Sequence, residues 1–258
     1  MSGTGGPGQD EGVAPGTLQT HPAPADGARA LSAARRGAYL LARHLFPPGA
    51  GRSVPVRRAL LKHTLHHLER ALAGTPMEGR LWLMGGLAIG YARSREALRN
   101  DLVDVDLGYE DTDHDALMAT LENLRAEGFV PVHRLVSNAG TTTACRLRHD
   151  GVWIDLLRCF RRDEREHWIT YLTDRRDHAA PREVEVETEV TYQAKVPTEP
   201  LYGTRWLCAG DLDRYLREQY GDWDVPDDVF YGRKWDHVRD SPAVVRCEPW
   251  QGHWEPWT

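Results

Sequence analysis

The sequence predicts an α+β fold, with a mixed β-sheet flanked by helices and a helical, aromatic-rich C-terminal segment. Three observations carry this. The apolar run Leu81-Trp82-Leu83-Met84 stops at Gly85-Gly86 and gives way to a helical stretch. The pattern Val103-Asp104-Val105-Asp106-Leu107 has the two-residue period of a strand. Three strand-like runs then follow one another, at 130–135, 142–147 and 152–159.

Taken in chain order, residues 1–27 are rich in Gly, Pro, Ala, Thr and acid with almost nothing to bury, and are expected to be a disordered tail. Residues 28–258 are expected to form a single domain with a helical part at 28–75, a core at 80–195 and a helical, aromatic part at 196–258. A helix at 28–45 is stopped by Phe46-Pro47-Pro48-Gly49. A second, at 56–73, carries Leu61, Leu65, Leu68 and Leu72 at spacings of three to four and ends at Gly74. His63, His66 and His67 lie on it beside Lys62 and Arg70, which reads as a solvated face.

The core begins with a strand at 81–84, a helix at 86–93, a strand at 103–109 and a helix at 113–126 ended by Gly128, with Asp111 or Asp113 as N-cap. After the three strand-like runs, residues 183–194 alternate Glu with Val, Thr and Tyr. That predicts a long strand or hairpin arm with acid on its wet face. A helix at 211–220 starts near Asp211 and stops at Gly221. Beyond it Trp223, Pro226, Phe230, Tyr231, Trp235, Trp250, Trp254 and Trp257 are spaced too irregularly for one helical stripe, and are expected to pack a tail back over the domain.

The chemistry sits in the acids. Asp104 and Asp106 share one face of their strand, so two hard oxygen ligands converge on a point, as magnesium or manganese bound to substrate phosphates requires. Asp155, in Gly151-Val152-Trp153-Ile154-Asp155, is expected on a neighbouring strand as third ligand or as base. Gly85 and Gly86 let the backbone approach an anion at the start of a helix, and Arg93 offers a forked donor to phosphate. The order of these parts points to metal-assisted transfer of a phosphorus group.

Composition narrows the rest. With 38 Asp plus Glu against 32 Lys plus Arg, the formal net charge is -6, which argues against coating nucleic acid or anionic lipid. Arg161, Arg162, Arg165, Arg175 and Arg176 form either a local basic patch or a solvated loop. Cys145, Cys159, Cys208 and Cys247 make no Cys-x-x-Cys pair, so neither a zinc ribbon nor a disulfide framework is indicated, and a reducing cytoplasm fits best. Cys145 and Cys159 are candidates for adjacent strands, with a structural metal shared with a histidine as a minor alternative. There is no signal-peptide pattern and no apolar run near 18 residues.

The segment Gly85-Gly86-Leu87-Ala88-Ile89-Gly90-Tyr91-Ala92-Arg93 resembles the Gly-Gly-Thr-Leu-Leu-Gly-x-x-Arg stretch of the LicD/fukutin family. Asp104-x-Asp106 and Asp155 are similar to its acids. Val196-Pro197, Tyr215-Leu216, Tyr220-Gly221-Asp222-Trp223 and Pro226 resemble its closing motifs, and Trp235-Asp236 with Ser241-Pro242 is similar to the end of fukutin. The resemblance covers roughly residues 56–245. It implies a nucleotidyltransferase fold and a metal-dependent phosphotransferase that moves a phosphorylated alcohol, of phosphocholine or ribitol phosphate type, from a CDP-activated donor to a hydroxyl of a glycan or small acceptor. The chain departs from the family at Asp101-Leu102-Val103, where a tryptophan and further acids are usual, and at Leu87, where a threonine is usual. Gly85-Gly86 with Ala88-Ile89 is also similar to the Gly-Gly-x-Ala-Ile segment of antibiotic-modifying nucleotidyltransferases, which implies transfer of a nucleoside monophosphate to a small molecule such as an aminoglycoside. A non-catalytic binding protein of the same fold is a third reading.

Overall fold

The computed structural model describes residues 53–174, 176, 181–226, 236 and 238–257, all within the unit Leu45–Thr258. The tail at 1–27, the helix at 28–45, and Arg175, Phe230, Tyr231 and Trp235 lie outside the described residues. The fold is mixed α+β: a large sheet with parallel and antiparallel pairs, flanked by helices.

Helix α1 (Val54–Leu72) begins with Pro55, whose fixed φ suits a first turn. Its predicted stripe is the buried one: Leu61, Leu65 and Leu68 are fully covered. Gly74 at φ +72 follows its end. Strand β1 (Trp82–Leu83) leads into α2 (Gly85–Ser94), then β2 (Asp104–Glu110), α3 (His114–Ala126), β3 (Val130–Val136), β4 (Thr142–His149) and β5 (Val152–Arg162). Strands β6 (Arg165–Asp174), β7 (Arg182–Thr191), β8 (Lys195–Pro197) and β9 (Leu207–Ala209) precede α4 (Leu212–Tyr220), β10 (Val244–Pro249) and β11 (His253–Pro256).

The strand order is β10-β7-β6-β5-β2-β1-β9-β8. Strand β5 is the branch point. One edge of β5 runs parallel to β2; on the other, residues 152–157 meet β4 and residues 159–162 meet β6, so the sheet divides there and β4-β3-β11 forms a side arm. Leu107 and Tyr109 of β2 and Ile154 and Leu156 of β5 are wholly buried and belong to one continuous core. Among the described residues no helix is long and apolar enough to cross a membrane.

Four expectations change. The arginines at 161, 162 and 165 are neither a loop nor an open basic patch: they end β5 and start β6, and Arg162 and Arg165 pair with Glu187 and Glu189 across the sheet. The acids of β7 are not on a wet face. Glu185 is 1 % exposed and Glu187 8 %, and both are answered by Arg246 of β10 at 3.1 and 3.3 Å. The segment after α4 is not all helical, since it supplies β10, which pairs with β7, and β11, which pairs with β3. Asp113 does occupy the N-cap position of α3, yet its carboxylate pairs with Arg80 and makes no capping bond, while Asp111 pairs with Arg158 at 2.6 Å. In contrast, Asp211, expected only near the start of this helix, caps α4, accepting the Arg214 amide at 3.0 Å.

Candidate metal centre

The alternation of β2 buries Val105, Leu107 and Tyr109 completely and leaves Asp104 and Asp106 half-buried on the opposite face. Parallel pairing sets Asp106 opposite Asp155 and Asp104 opposite Trp153, and in-register neighbours project to the same side. The three predicted acids therefore meet, each with a carboxylate oxygen within 4.8 Å of the others. Two unit charges at that distance repel by about 3 kcal/mol at the effective dielectric of about 20 that suits partly exposed sites, so three carboxylates here call for counter-charge. An all-oxygen donor set of this kind is one that a hard divalent cation could use, and Arg146 already supplies part of the counter-charge.

The glycine pair has a definite steric reason. Gly85 adopts φ +55 in the left-handed region, and a Cβ there would overlap the Asp106 carboxylate. A Cβ on Gly86 would likewise overlap the carboxylate of Asp101, in the 3-10 turn Arg99–Asp101. The anions that these glycines admit to the start of α2 are thus the chain's own, which fits the preference of a helix N-terminus for negative charge. Asp101, which in the sequence marked only a departure from the LicD/fukutin pattern, lies against Gly86 at the start of α2, outside the group formed by Asp104, Asp106 and Asp155.

Arg146 was missed. It pairs with Asp155 through two hydrogen bonds, from Nε to Oδ1 and from the guanidinium to Oδ2, and both side chains are largely covered. A signal for it existed. Asp150-Gly151 joins β4 to β5 as a two-residue turn with φ +50 and +83, and such a turn fixes the hairpin register that sets Arg146 opposite Asp155. The Arg146 guanidinium lies 5.7 Å from the Trp153 ring and 5.8 Å from the Trp254 ring. Strand β11 thus carries C-terminal aromatics to the flank of the acids. Trp254 also meets Tyr171 edge-on at 4.9 Å, and Tyr171 stacks on Trp250 at 5.1 Å.

Arg93 is placed otherwise than expected for a phosphate donor. Its guanidinium donates to the carbonyl oxygens of Trp223 and Val225, which ties the end of α2 to the segment after α4. Trp223 in turn donates to Asp213 at 3.2 Å.

The histidines of α1 do lie on its exposed side, His63 and His66 being exposed and His67 half-buried, and two of them join a second cluster. His63 and His67, one turn apart, meet His149 at the end of β4, with ring nitrogens of all three within 4.8 Å. Only His66 faces elsewhere, bonding the Tyr202 carbonyl. Cys145 and Cys159 do lie on adjacent strands, but neither belongs to this cluster or to the aspartates. Burial pushes the Cys145 thiol up to about 12 and raises that of Cys159 as well, as for inert core thiols. No protein-family model matches this chain, and no curated protein does either.

Proposed function

We propose that this chain is a divalent-metal-dependent transferase of phosphorus-containing groups with a nucleotidyltransferase fold, acting in the manner of the LicD/fukutin family. The observation that carries the reading is the pairing of β2 with β5, which sets Asp106 beside Asp155 while Gly85 lies against Asp106. The strand neighbours β1, β2 and β5, with a glycine-opened helix after the first, also support it.

Asp104 and Asp106 would hold the ion, with Asp155 as the third ligand. When bound, the ion neutralises the phosphates of the donor as the phosphorus passes from one oxygen to another. Arg146 occupies one lone pair on each Asp155 oxygen, so this carboxylate is held still and suits a ligand better than a base. The hydroxyl oxygen of the acceptor attacks phosphorus, the bond to CMP breaks, and the hydroxyl proton leaves to solvent or to an aspartate of the site. Trp254, half-buried beside Tyr171 and Arg146, puts aromatic surface at the flank of the acids, where a cytosine or sugar of the proposed substrates would pack.

The test is turnover of CDP-alcohols with magnesium or manganese, with product analysis. Free CMP is expected, and Asp104→Asn or Asp106→Asn should lower the rate by about 100-fold or more while the protein stays folded. Pyrophosphate released from a nucleoside triphosphate would instead establish nucleotidyl transfer. Full activity in excess chelator would overturn the mechanism. Absence of any metal-dependent nucleotide binding in a thermal-shift screen would leave a binding protein.

A further inference from the structure

We propose that His63, His67 and His149, closed by the carboxylate of Asp150, form a second metal site, selective for a zinc-type transition ion and separate from the aspartates. The residues come from two elements that nothing local joins. His63 and His67 stand at i and i+4, on one face of α1. His149 ends β4, 5 % exposed, with its ring stacked on Phe129 at 4.5 Å. The ring centroids are 4.1 Å apart for His63 and His67, 5.1 Å for His67 and His149, and 5.6 Å for His63 and His149. Asp150 brings an oxygen to 3.4 Å from His63 Nε2 and 4.0 Å from His149 Nδ1.

Three imidazoles and a carboxylate are a donor set for zinc, copper or nickel, whereas magnesium and calcium take oxygen. A tetrahedral ion with bonds of about 2.0–2.1 Å needs donors about 3.3 Å apart, a contraction that side-chain rotation can supply. The surroundings fit. Thr64 lies 3.0 Å from His149 Nδ1 and Glu127 lies 3.1 Å from His67 Nδ1, polar contacts of the kind that orient ligating rings. The Arg70 guanidinium also lies 2.9 Å from His67 Nδ1 and 3.3 Å from its Nε2, so an ion entering the site displaces it towards Glu127, which already matches its charge, and Asp150 leaves the neighbourhood attractive to a cation. Asp150 lies beside His63 and His149 but outside the group of mutually close nitrogens, and turned towards them its carboxylate makes the fourth ligand and the site a structural one. It fastens α1 to the β4–β5 turn, the same turn that sets Arg146 opposite Asp155.

The full chain, stripped of metal, is titrated with Co(II) and with Zn(II). The expected result is one equivalent bound, the visible ligand-field bands of a four-coordinate cobalt site, their loss on adding zinc, and a melting temperature raised by about 5 °C or more at a hundredfold excess over Kd. His63→Ala and Asp150→Asn, both at half-exposed positions that tolerate change, should weaken binding by about tenfold or more. His149→Gln should abolish the cobalt bands. Asp104→Asn/Asp106→Asn should leave them intact. The proposal is overturned if no stoichiometric binding occurs, if His63→Ala binds zinc as tightly as the parent, or if the aspartate variant alone removes the bands. Should His149→Gln fail to fold, the His63→Ala comparison decides.

Discussion

Lys195 is held inside a box of rings, its ammonium 4.6 Å from the centroid of Trp82, 5.3 Å from Tyr192 and 5.9 Å from Tyr215. It pairs with Glu166, and the two side chains are 7 % and 2 % exposed. Burial is the largest influence on the Glu166 carboxyl and raises its pKa, against the pull of Lys195. A raised folded pKa means that this group's stabilisation is present below the ordinary value of about 4.3 and is lost as pH rises through the folded one. Lys195→Met leaves a buried carboxylate without its partner and should cost about 3–5 kcal/mol in urea denaturation at neutral pH, less as the pH is lowered. Lys195→Met/Glu166→Gln should recover much of that loss. Gly85→Ala tests the other tight place. The left-handed backbone costs an alanine on the order of 1–2 kcal/mol, and its Cβ displaces Asp106, so stability and magnesium-dependent ligand shifts should fall together. The need for glycine beside Asp106 was legible in the sequence as a Gly-Gly pair after a strand. That the anion it admits is Asp106 itself was not, because it depends on how β1 and β2 pair.

Elements with a complete local signal formed where the pattern put them. Helix α4 is one: Asp211 caps it, Gly221 at φ +67 ends it, and Asp213 with Arg217 and Arg214 with Glu218 brace it at i,i+4. Asp211→Ala should therefore lower stability by about 1 kcal/mol, read as a shift of the urea midpoint without change of slope. Strand β6 shows the opposite case. Arg165-Glu166-His167-Trp168-Ile169 has no clean alternation, because both of its faces are covered and its charges are paired across the sheet. Strand β7 misled for the same reason: alternating acid reads as a wet face, but Arg162, Arg246 and His167 cover Glu187, and Arg246 covers Glu185. A period of two reports which residues share a side. It does not report what lies on that side.

The side arm of the sheet is closed by its last strand. Strand β11 closes the open edge of β3, and Trp254 packs against His133 at 3.9 Å as well as Tyr171 and Arg146. Removing residues 250–258 should expose an unpaired edge, lower the melting temperature by about 5 °C or more, and produce oligomers on size-exclusion chromatography. The sequence by itself determined the buried stripe of α1, the strand that puts Asp104 and Asp106 on one face, the glycine stop before α2 and the caps of α4. All of these follow from periodicity and backbone preference within a few residues. The tertiary structure alone decided that Asp101 abuts Gly86, that Arg93 anchors the segment after α4, and that His149 joins His63 and His67 across 82 or more positions of chain. The physical reason is that local patterns fix the direction of a side chain along its own element. The neighbour it meets is set by the register and packing of elements far apart in sequence, which only the complete burial of the core selects.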